Sequence, residues 1–378
     1  MRRLRVIAGT GALLLLSACS ATAASTAPAT SPSASSAAAA QAGAQSASAT
    51  PLATAQPRSA PATSVTIAAA GDTMLGNTPD LPPDPASYYD AVKTELRHNA
   101  QIVFGNLEGT LTTAPGNKCG ASEGITCFAF RDPPSYARYY KDAGFTVLND
   151  ANNHSYDFGA AGQAQTVTSI HSVGMKQTGL PGEITTVTVK GVKVAFVAFA
   201  PYNWTANLLN LPAGQALIKQ AKREASVVVV YMHAGAEGAD ADHVTGREEI
   251  YLGEDRGNPE AFAHMAINAG ASLVLASGPH VLRGMQFYKG HLIAYSLGDF
   301  ANYGDFAIDG DLDTSAILHV TLSSGGSFES ARIYPVLLTG KGEPSPGGGA
   351  VSFIKGLSQD DFGSSAARIS SSGAITRP

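Results

Sequence analysis

Five apolar runs in this chain each end on a residue able to bind a metal or move a proton. They deliver Asp72 in AAAGDTML, Asn106 and Glu108 in FGNLEG, and Asn153 and His154 in VLNDANNHSYD. His233 follows in VVVVYMHAGAE and His280 in LVLASGPHVLRG. Each has an ordinary explanation when taken alone. An Asp after a strand is a common helix cap, Asn and Asp order turns, and a lone His is more often a satisfied loop or core residue. Recurrence shifts the balance. Parallel strands carry their carboxyl ends to one edge of an open sheet, where α/β proteins bind ligands. Carboxylates, imidazoles and an amide oxygen gathered there suit a divalent transition metal. A cation would also relieve the repulsion between clustered carboxylates.

The elements that must position these groups alternate. Strands are expected at SVTIAAAGD, IVFGNLEG, FTVLND, VKVAFVAFAP, SVVVVYMHAG and ASLVLASG. Helices are expected between them at ASYYDAVKTELRHNA, PPSYARYYKDAG, AAGQAQTVTSIHSVG, QALIKQAKREA and PEAFAHMAINAG. The near-continuous apolar runs suit strands covered on both faces. MQFYKGHLIAYSLGDF reads as a hairpin turning at Lys289-Gly290. SAILHVTL and ESARIYPVLL are strand-like, so antiparallel strands are appended to a parallel core. The fold class is α/β.

The two ends of the chain differ from its middle. Arg2, Arg3 and Arg5 precede an apolar run ending at Leu16, and small residues follow, the pattern of a secretory signal. Leu16-Ser17-Ala18-Cys19 resembles the lipobox of bacterial lipoproteins, which implies cleavage after residue 18 and lipidation of Cys19. Residues 19–64 are almost wholly Ala, Ser, Thr, Pro and Gln and read as a flexible tether. The folded domain is expected over 65–340, and 341–378 as a Gly/Ser-rich, partly loose segment. The protein is then expected on the extracellular face of the cell membrane, held by a lipid anchor without spanning. The net charge is −5, from 25 basic and 30 acidic residues. No basic cluster follows the leader, which argues against nucleic acid as a partner. With Cys19 lipidated, Cys119 and Cys127 remain as a pair around a short Gly-containing loop, and an oxidising compartment favours a disulfide between them.

GDTMLGN, NLEGTLT, ANNHSYDFG, MHAGAE, SGPHV and LIAYSLGDF resemble, in order, the motifs of the CapA family of poly-gamma-glutamate capsule synthesis proteins. That resemblance implies a calcineurin-like metallophosphatase fold, an αββα sandwich of two mixed sheets flanked by helices. It implies metal ligation by Asp72, Asn153, His233 and His280, with Asn106 and Glu108 where the wider superfamily places a bridging carboxylate. His154 would assist the leaving group. Two positions depart from the pattern. Met74 stands where the superfamily has a His, and Gly278 where the CapA pattern usually has one. The implied centre therefore holds one or two divalent ions.

The mechanism implied is metal-dependent hydrolysis with His154 as proton carrier and Asp157 fixing its tautomer. Glu237 could orient His233 in the same way, or be a solvated loop residue. Arg131 and Arg283 could grip an anionic envelope polymer or a phosphoester, since guanidinium suits bidentate anion contact. Pairing with surface acids is their ordinary alternative. The segment Thr245–Asn258 is either a loop over the site or solvent-facing chain. A different class of function also fits: a non-catalytic surface lipoprotein that binds an envelope polymer or supports a membrane capsule synthase.

Overall fold

The computed structural model describes residues 63–124 and 127–378. The signal segment, Cys19 and the tether up to residue 62 lie outside the described residues.

Two sheets face each other. In the first, of ten strands, Ser64–Thr73 lies at the centre. It pairs in parallel with Ile102–Leu107, which continues through Val147–Asn149 to Lys176–Thr178. On its other side it pairs antiparallel with Thr314–Ser323. The second sheet, of seven strands, is built on four parallel neighbours. These are Val192–Ala200, Val227–His233, Leu273–Ser277 and His291–Ala294. Thr185–Val189 and Met285–Tyr288 close it as antiparallel edges.

The apolar runs are explained by this layering. Ile67, Phe104 and Val147 from one sheet meet Phe196, Val229 and Leu275 from the other in a shared core. Phe104 and Phe196 stack across it with centroids 5.6 Å apart. The opposite faces are also covered. Ala137–Ala143 and Gly159–Ser172 pack outside the first sheet around Tyr89, Tyr140, Phe145 and Ile170. Leu211–Glu224 and Pro259–Ala269 pack outside the second. Each of these last two helices starts on an Asn cap, Asn210 or Asn258, whose side chain accepts an early backbone N–H. The result is the αββα layering that the resemblance implies. The Lys289-Gly290 turn joins Met285–Tyr288 to His291–Ala294 as expected from the sequence.

Two expectations are corrected. The stretch around Tyr88 and Tyr89 is mostly turns, with helix only over Lys93–Arg97. Its irregular path buries the Tyr89 ring, whose hydroxyl bonds Thr73 Oγ1 at 2.5 Å. The segment from 341 onward is folded into the domain. Glu343–Pro346 extends the first sheet, Ala350–Phe362 is a helix, and Arg368–Ile369 and Ala374–Thr376 form further strands. Ile354, Ile369 and Ile375 are buried in the intersheet core. The Gly and Ser residues serve the turns between these pieces, which is why composition alone misled.

Candidate metal centre

Strand register brings the polar ends together. In the first sheet Asp72 stands opposite Asn106 on one side and Asp299 on the other, and Asn106 opposite Asn149. In the second sheet His233 stands opposite Ser277. The two rows meet across the sandwich, where Ser277 Oγ donates to Asp72 Oδ1 and Asn106 Nδ2 lies 3.5 Å from His233 Nδ1. Gly71 is required here, because a Cβ on it would strike the Gly298 carbonyl oxygen at 1.9 Å. That close approach brings Asp299 alongside Asp72.

Two groups of ligand atoms result, Asp72 with Glu108 and His233, and Asp72 with His280 and Asp299. Within each group the atoms lie within 4.8 Å of one another. Asp72 belongs to both. His233 Nε2 is 3.6 Å from Glu108 Oε1, and His280 Nε2 is 3.7 Å from the same oxygen. His280 Nδ1 is 2.7 Å from Asp299 Oδ1 and 3.6 Å from Asp72 Oδ2. His280 adopts a φ of 61°, a left-handed conformation that costs a non-glycine residue energy and recurs at functional sites.

The fit to a divalent cation rests on atoms left without partners. Among the described residues, Glu108 Oε1, His233 Nε2, Asp299 Oδ2 and Asn153 Oδ1 are buried and make no hydrogen bond. Such groups are costly unless something pairs with them. Burial, then the neighbouring Asp72, pushes the Glu108 carboxyl well above its usual range. Burial also raises Asp299, to about 6, against the pull of His280. Burial holds His233 neutral by pushing its pKa far down, the form in which imidazole binds metal. Burial opposes charge on His280 as well, yet Asp299, Glu108 and Glu237 outweigh it and hold its pKa well above the usual value. Acids crowded around unpaired atoms suit a bound cation, and the mixed nitrogen and oxygen set suits Mn, Zn or Fe.

The sequence-derived residues divide in this geometry. Asp72, Glu108, His233 and His280 converge. Asn153 lines the adjoining cleft with His154 and His280. Asn106 does not present its oxygen to the cluster. Ala151 N–H fixes Asn149 Oδ1, and His154 N–H fixes Asn152 Oδ1. Both amides therefore aim Nδ2 at Asn106 Oδ1, at 2.6 and 3.0 Å. Asn106 is left offering Nδ2 to Asp72 Oδ1 at 2.6 Å and Glu108 Oε2 at 3.2 Å. A ligand role through its oxygen is thus corrected to a donor role.

His154 sits beside this cluster. Its Nδ1 is 2.9 Å from Asp157 Oδ2, which also accepts Phe130 N–H at 2.7 Å. Lys118 Nζ lies 2.7 Å from Asp157 Oδ1. Asp157 is therefore an acceptor on every side, which makes His154 Nδ1 the donor and leaves Nε2 as the free nitrogen. Burial, opposed by Asp157, lowers the His154 pKa. The Phe130 ring packs on the His154 ring at 4.4 Å, and Phe306 packs on His280 at 4.5 Å.

The expected arginines lie elsewhere. Arg283 is 1% exposed and grips Glu249 with both terminal nitrogens, at 3.0 and 2.7 Å, while Nε donates to the Ala241 carbonyl. It is an internal clamp, and its anion-binding reading is corrected. Arg131 lies over the Phe158 ring and lines a neighbouring groove with Asp80, Glu123 and Asp305. Glu237 pairs with Arg256 at 2.8 Å and stands 3.8 Å from His280, so it serves neither as partner of His233 nor as a solvated residue. Met74 is buried against Gly109. Gly278 has a φ of 117°, and a Cβ there would meet Ala234 N at 3.1 Å and the His233 ring at 3.2 Å. A side chain at that position would be strained by the positive φ and would crowd the His233 ring.

Sequence reasoning did not single out Asp299, Ser277, Asn149, Lys118 or Arg256. Asp299 had a usable signal, an acid ending the apolar run LIAYSLG. Lys118 had none in its own neighbourhood. It immediately precedes Cys119, which is tied to Cys127 by a disulfide with a Cα separation of 5.4 Å.

Residues 66–303 match the family model described as Bacterial capsule synthesis protein PGA_cap. The chain belongs to this family. Among curated relatives, PGA_cap-type similarity extends to the PGA biosynthesis protein CapA of Bacillus subtilis, 28% identical over 218 residues, covering 53% of each chain. The capsule biosynthesis protein CapA of Bacillus anthracis is 32% identical over 225 residues, covering 53% of this chain and 50% of that one. The chain thus spans about half the length of the curated relatives it matches. Among solved structures, a hypothetical protein from Thermus thermophilus superposes with a TM-score of 0.45 at 15% identity, covering 72% of this chain and 98% of that one.

Proposed function

We propose that this PGA_cap protein is a metal-dependent hydrolase acting on an anionic envelope polymer or a phosphoester in capsule or cell-envelope biosynthesis. The observation that carries this reading is Asp72, shared by two ligand groups whose remaining atoms include buried oxygens and a nitrogen without partners. Asp72, Glu108 and His233 would hold one ion, and Asp72, His280 and Asp299 a second. A bound divalent cation supplies Lewis acidity at an oxygen of the scissile group. Asn153 lines the same cleft, and its buried, unpartnered Oδ1 would add a neutral oxygen donor.

The chain supplies the proton chemistry. Asp157 fixes the His154 tautomer so that Nε2 is the free nitrogen. In the resting state His154 is neutral. Water would form the new bond to the phosphoryl or acyl centre as the bond to the leaving oxygen or nitrogen breaks. His154, protonated from solvent when an anionic group bound nearby raises its proton affinity, would give its proton to the leaving atom and regain one from the water consumed. Phe130 and Phe306 flank the two imidazoles and limit water there.

On this reading the protein works at the outer face of the membrane, held by a lipid on Cys19, with a membrane capsule synthase as a neighbouring partner. Among the described residues no helix is long and apolar enough to cross a membrane. The missing imidazoles at Met74 and Gly278 support a second reading, a non-catalytic polymer binder. A panel of phosphodiester and gamma-glutamyl substrates with added Mn or Zn separates the two. Turnover abolished by a chelator supports the hydrolase. Polymer retention without turnover on any substrate overturns it in favour of the binder.

A further inference from the structure

The cleft that opens onto His154 and His280 has a volume of about 680 Å³. Its walls are more apolar than an anionic polymer would require. Phe128, Phe130, Tyr202, Tyr251, Leu252 and Phe306 all line it. Two of them are costly where they stand. Phe128 is 54% exposed and Leu252 is 85% exposed, and both belong to the few large apolar side chains left in solvent among the described residues. Leu252 also has a φ of 50°, followed by Gly253 at 84°, at the tip of the ribbon formed by Ile250–Tyr251 and Glu254–Asp255. Such a two-residue turn favours Asn-Gly or Gly-Gly. A leucine there is strained and solvated at once, and exposed apolar groups gathered around a cleft mark a binding surface.

The cations of the cleft are already paired. Lys118 lies on Asp157, and Arg256 lies between Glu237 at 2.8 Å and Glu254 at 3.2 Å. Arg256 also sits over the Tyr202 and Tyr251 rings, and Tyr202 OH donates to Glu254 at 2.9 Å. These contacts tie the ribbon to the cleft wall, so it is a fixed rim and not a free lid. Glu237 and Glu254 on the same walls share the one guanidinium of Arg256, a net negative lining that disfavours a repeating polyanion.

We infer that the substrate of this site carries one anionic head for the ligand cluster and an uncharged, ring-bearing body that packs against Phe128, Leu252 and the cleft aromatics. The inference rests on the proposed hydrolase site for the head and on the cleft alone for the body. An aryl group and a sugar ring share this chemistry, and the test separates them.

The sole tryptophan of the chain, Trp204, lines this cleft and stacks between Tyr202 and Tyr156. Its fluorescence therefore reports binding there. The full chain with Mn(II) is titrated with inorganic phosphate, 4-nitrophenyl phosphate, glucose 1-phosphate and a penta-gamma-glutamate, with inner-filter correction or calorimetry for the aryl ester. A ring-bearing monoester is expected to bind at least tenfold tighter than inorganic phosphate. Whichever of the two esters shows the larger gain identifies the ring. Leu252→Asn and Phe128→Asn, which remove the apolar contact without adding charge, are each expected to remove the gain and leave phosphate binding unchanged, since both side chains are solvent-exposed. Equal affinity for the esters and inorganic phosphate overturns the inference, as does tighter binding of the penta-gamma-glutamate. So does a gain that survives both substitutions. Phosphate binding that persists in Asp72→Ala counts against the hydrolase site instead, because the comparison between probes does not depend on that variant.

Discussion

Asn106 faces Asp72 through nitrogen, with Nδ2 2.6 Å from Asp72 Oδ1, because Asn149 and Asn152 both donate to its oxygen. Those two amides are in turn fixed by the backbone N–H groups of Ala151 and His154. The loop after Val147–Asn149 thereby sets the orientation of a side chain on the neighbouring strand. Asn106 bridges Asp72 and Glu108 with N–H groups, and the other oxygen of Glu108 is left for a cation.

Asn106→Asp replaces that bridge with a third buried acid facing Asp72. Leaving a buried charge uncompensated costs about 3–5 kcal/mol. Urea unfolding in a chelator is expected to show a loss of this order, reduced by added Mn(II). Asn106→Ala, which strands the donors of Asn149 and Asn152, is expected to cost about 1–3 kcal/mol with or without metal. An Asn106→Asp protein as stable as wild type in chelator contradicts the donor role.

Asp157→Asn keeps the shape of the loop but can no longer hold the His154 tautomer. A loss of about 10–100-fold in kcat with little change in KM is expected, as for other residues that orient a functional imidazole. Steady-state kinetics on any substrate turned over by the protein checks this. An unchanged kcat contradicts the assignment of His154 as proton carrier.

Arg283→Ala separates a structural clamp from a substrate contact. Its loss leaves Glu249 without its guanidinium, and breaking such a pair costs about 3–5 kcal/mol. The midpoint of thermal unfolding is expected to fall by several degrees, while phosphate affinity in the folded fraction stays at the wild-type value. A stable variant with weakened phosphate binding contradicts the internal placement.

His319 gives a pH-dependent contribution remote from the metal centre. Burial lowers its pKa from 6.5 to about 4. The unfolded state therefore binds the proton more readily than the folded state, and stability falls as the pH drops from about 6.5 toward about 4. Above that window the histidine is neutral in both states and contributes no slope. Unfolding midpoints across this range are expected to fall less steeply in His319→Leu than in wild type. Parallel slopes contradict the assignment.

The sequence carried the strand-end pattern well, because an apolar run closed by an acid or imidazole is a local signal. It located Asp72, Glu108, His154, His233 and His280 in their true neighbourhood. It could not carry the orientation of Asn106, which depends on amides that arrive from another strand and a loop. Arg283 was legible as a cation, but its partner Glu249 lies 34 residues away and nothing local marks the pairing. The folded segment after 340 was hidden for another reason. Its few isoleucines are spaced among turn residues, so composition resembles a tail while Ile354, Ile369 and Ile375 fill the core.

The central claim is that Asp72 and its neighbours grip a divalent cation. It is tested most directly by elemental analysis of wild type, Asp72→Ala and His233→Ala after loading with Mn(II) or Zn(II) and exhaustive dialysis. Wild type is expected to retain one or two ions per chain, Asp72→Ala essentially none, and His233→Ala fewer than wild type. Equal and negligible metal in all three folded proteins contradicts the account.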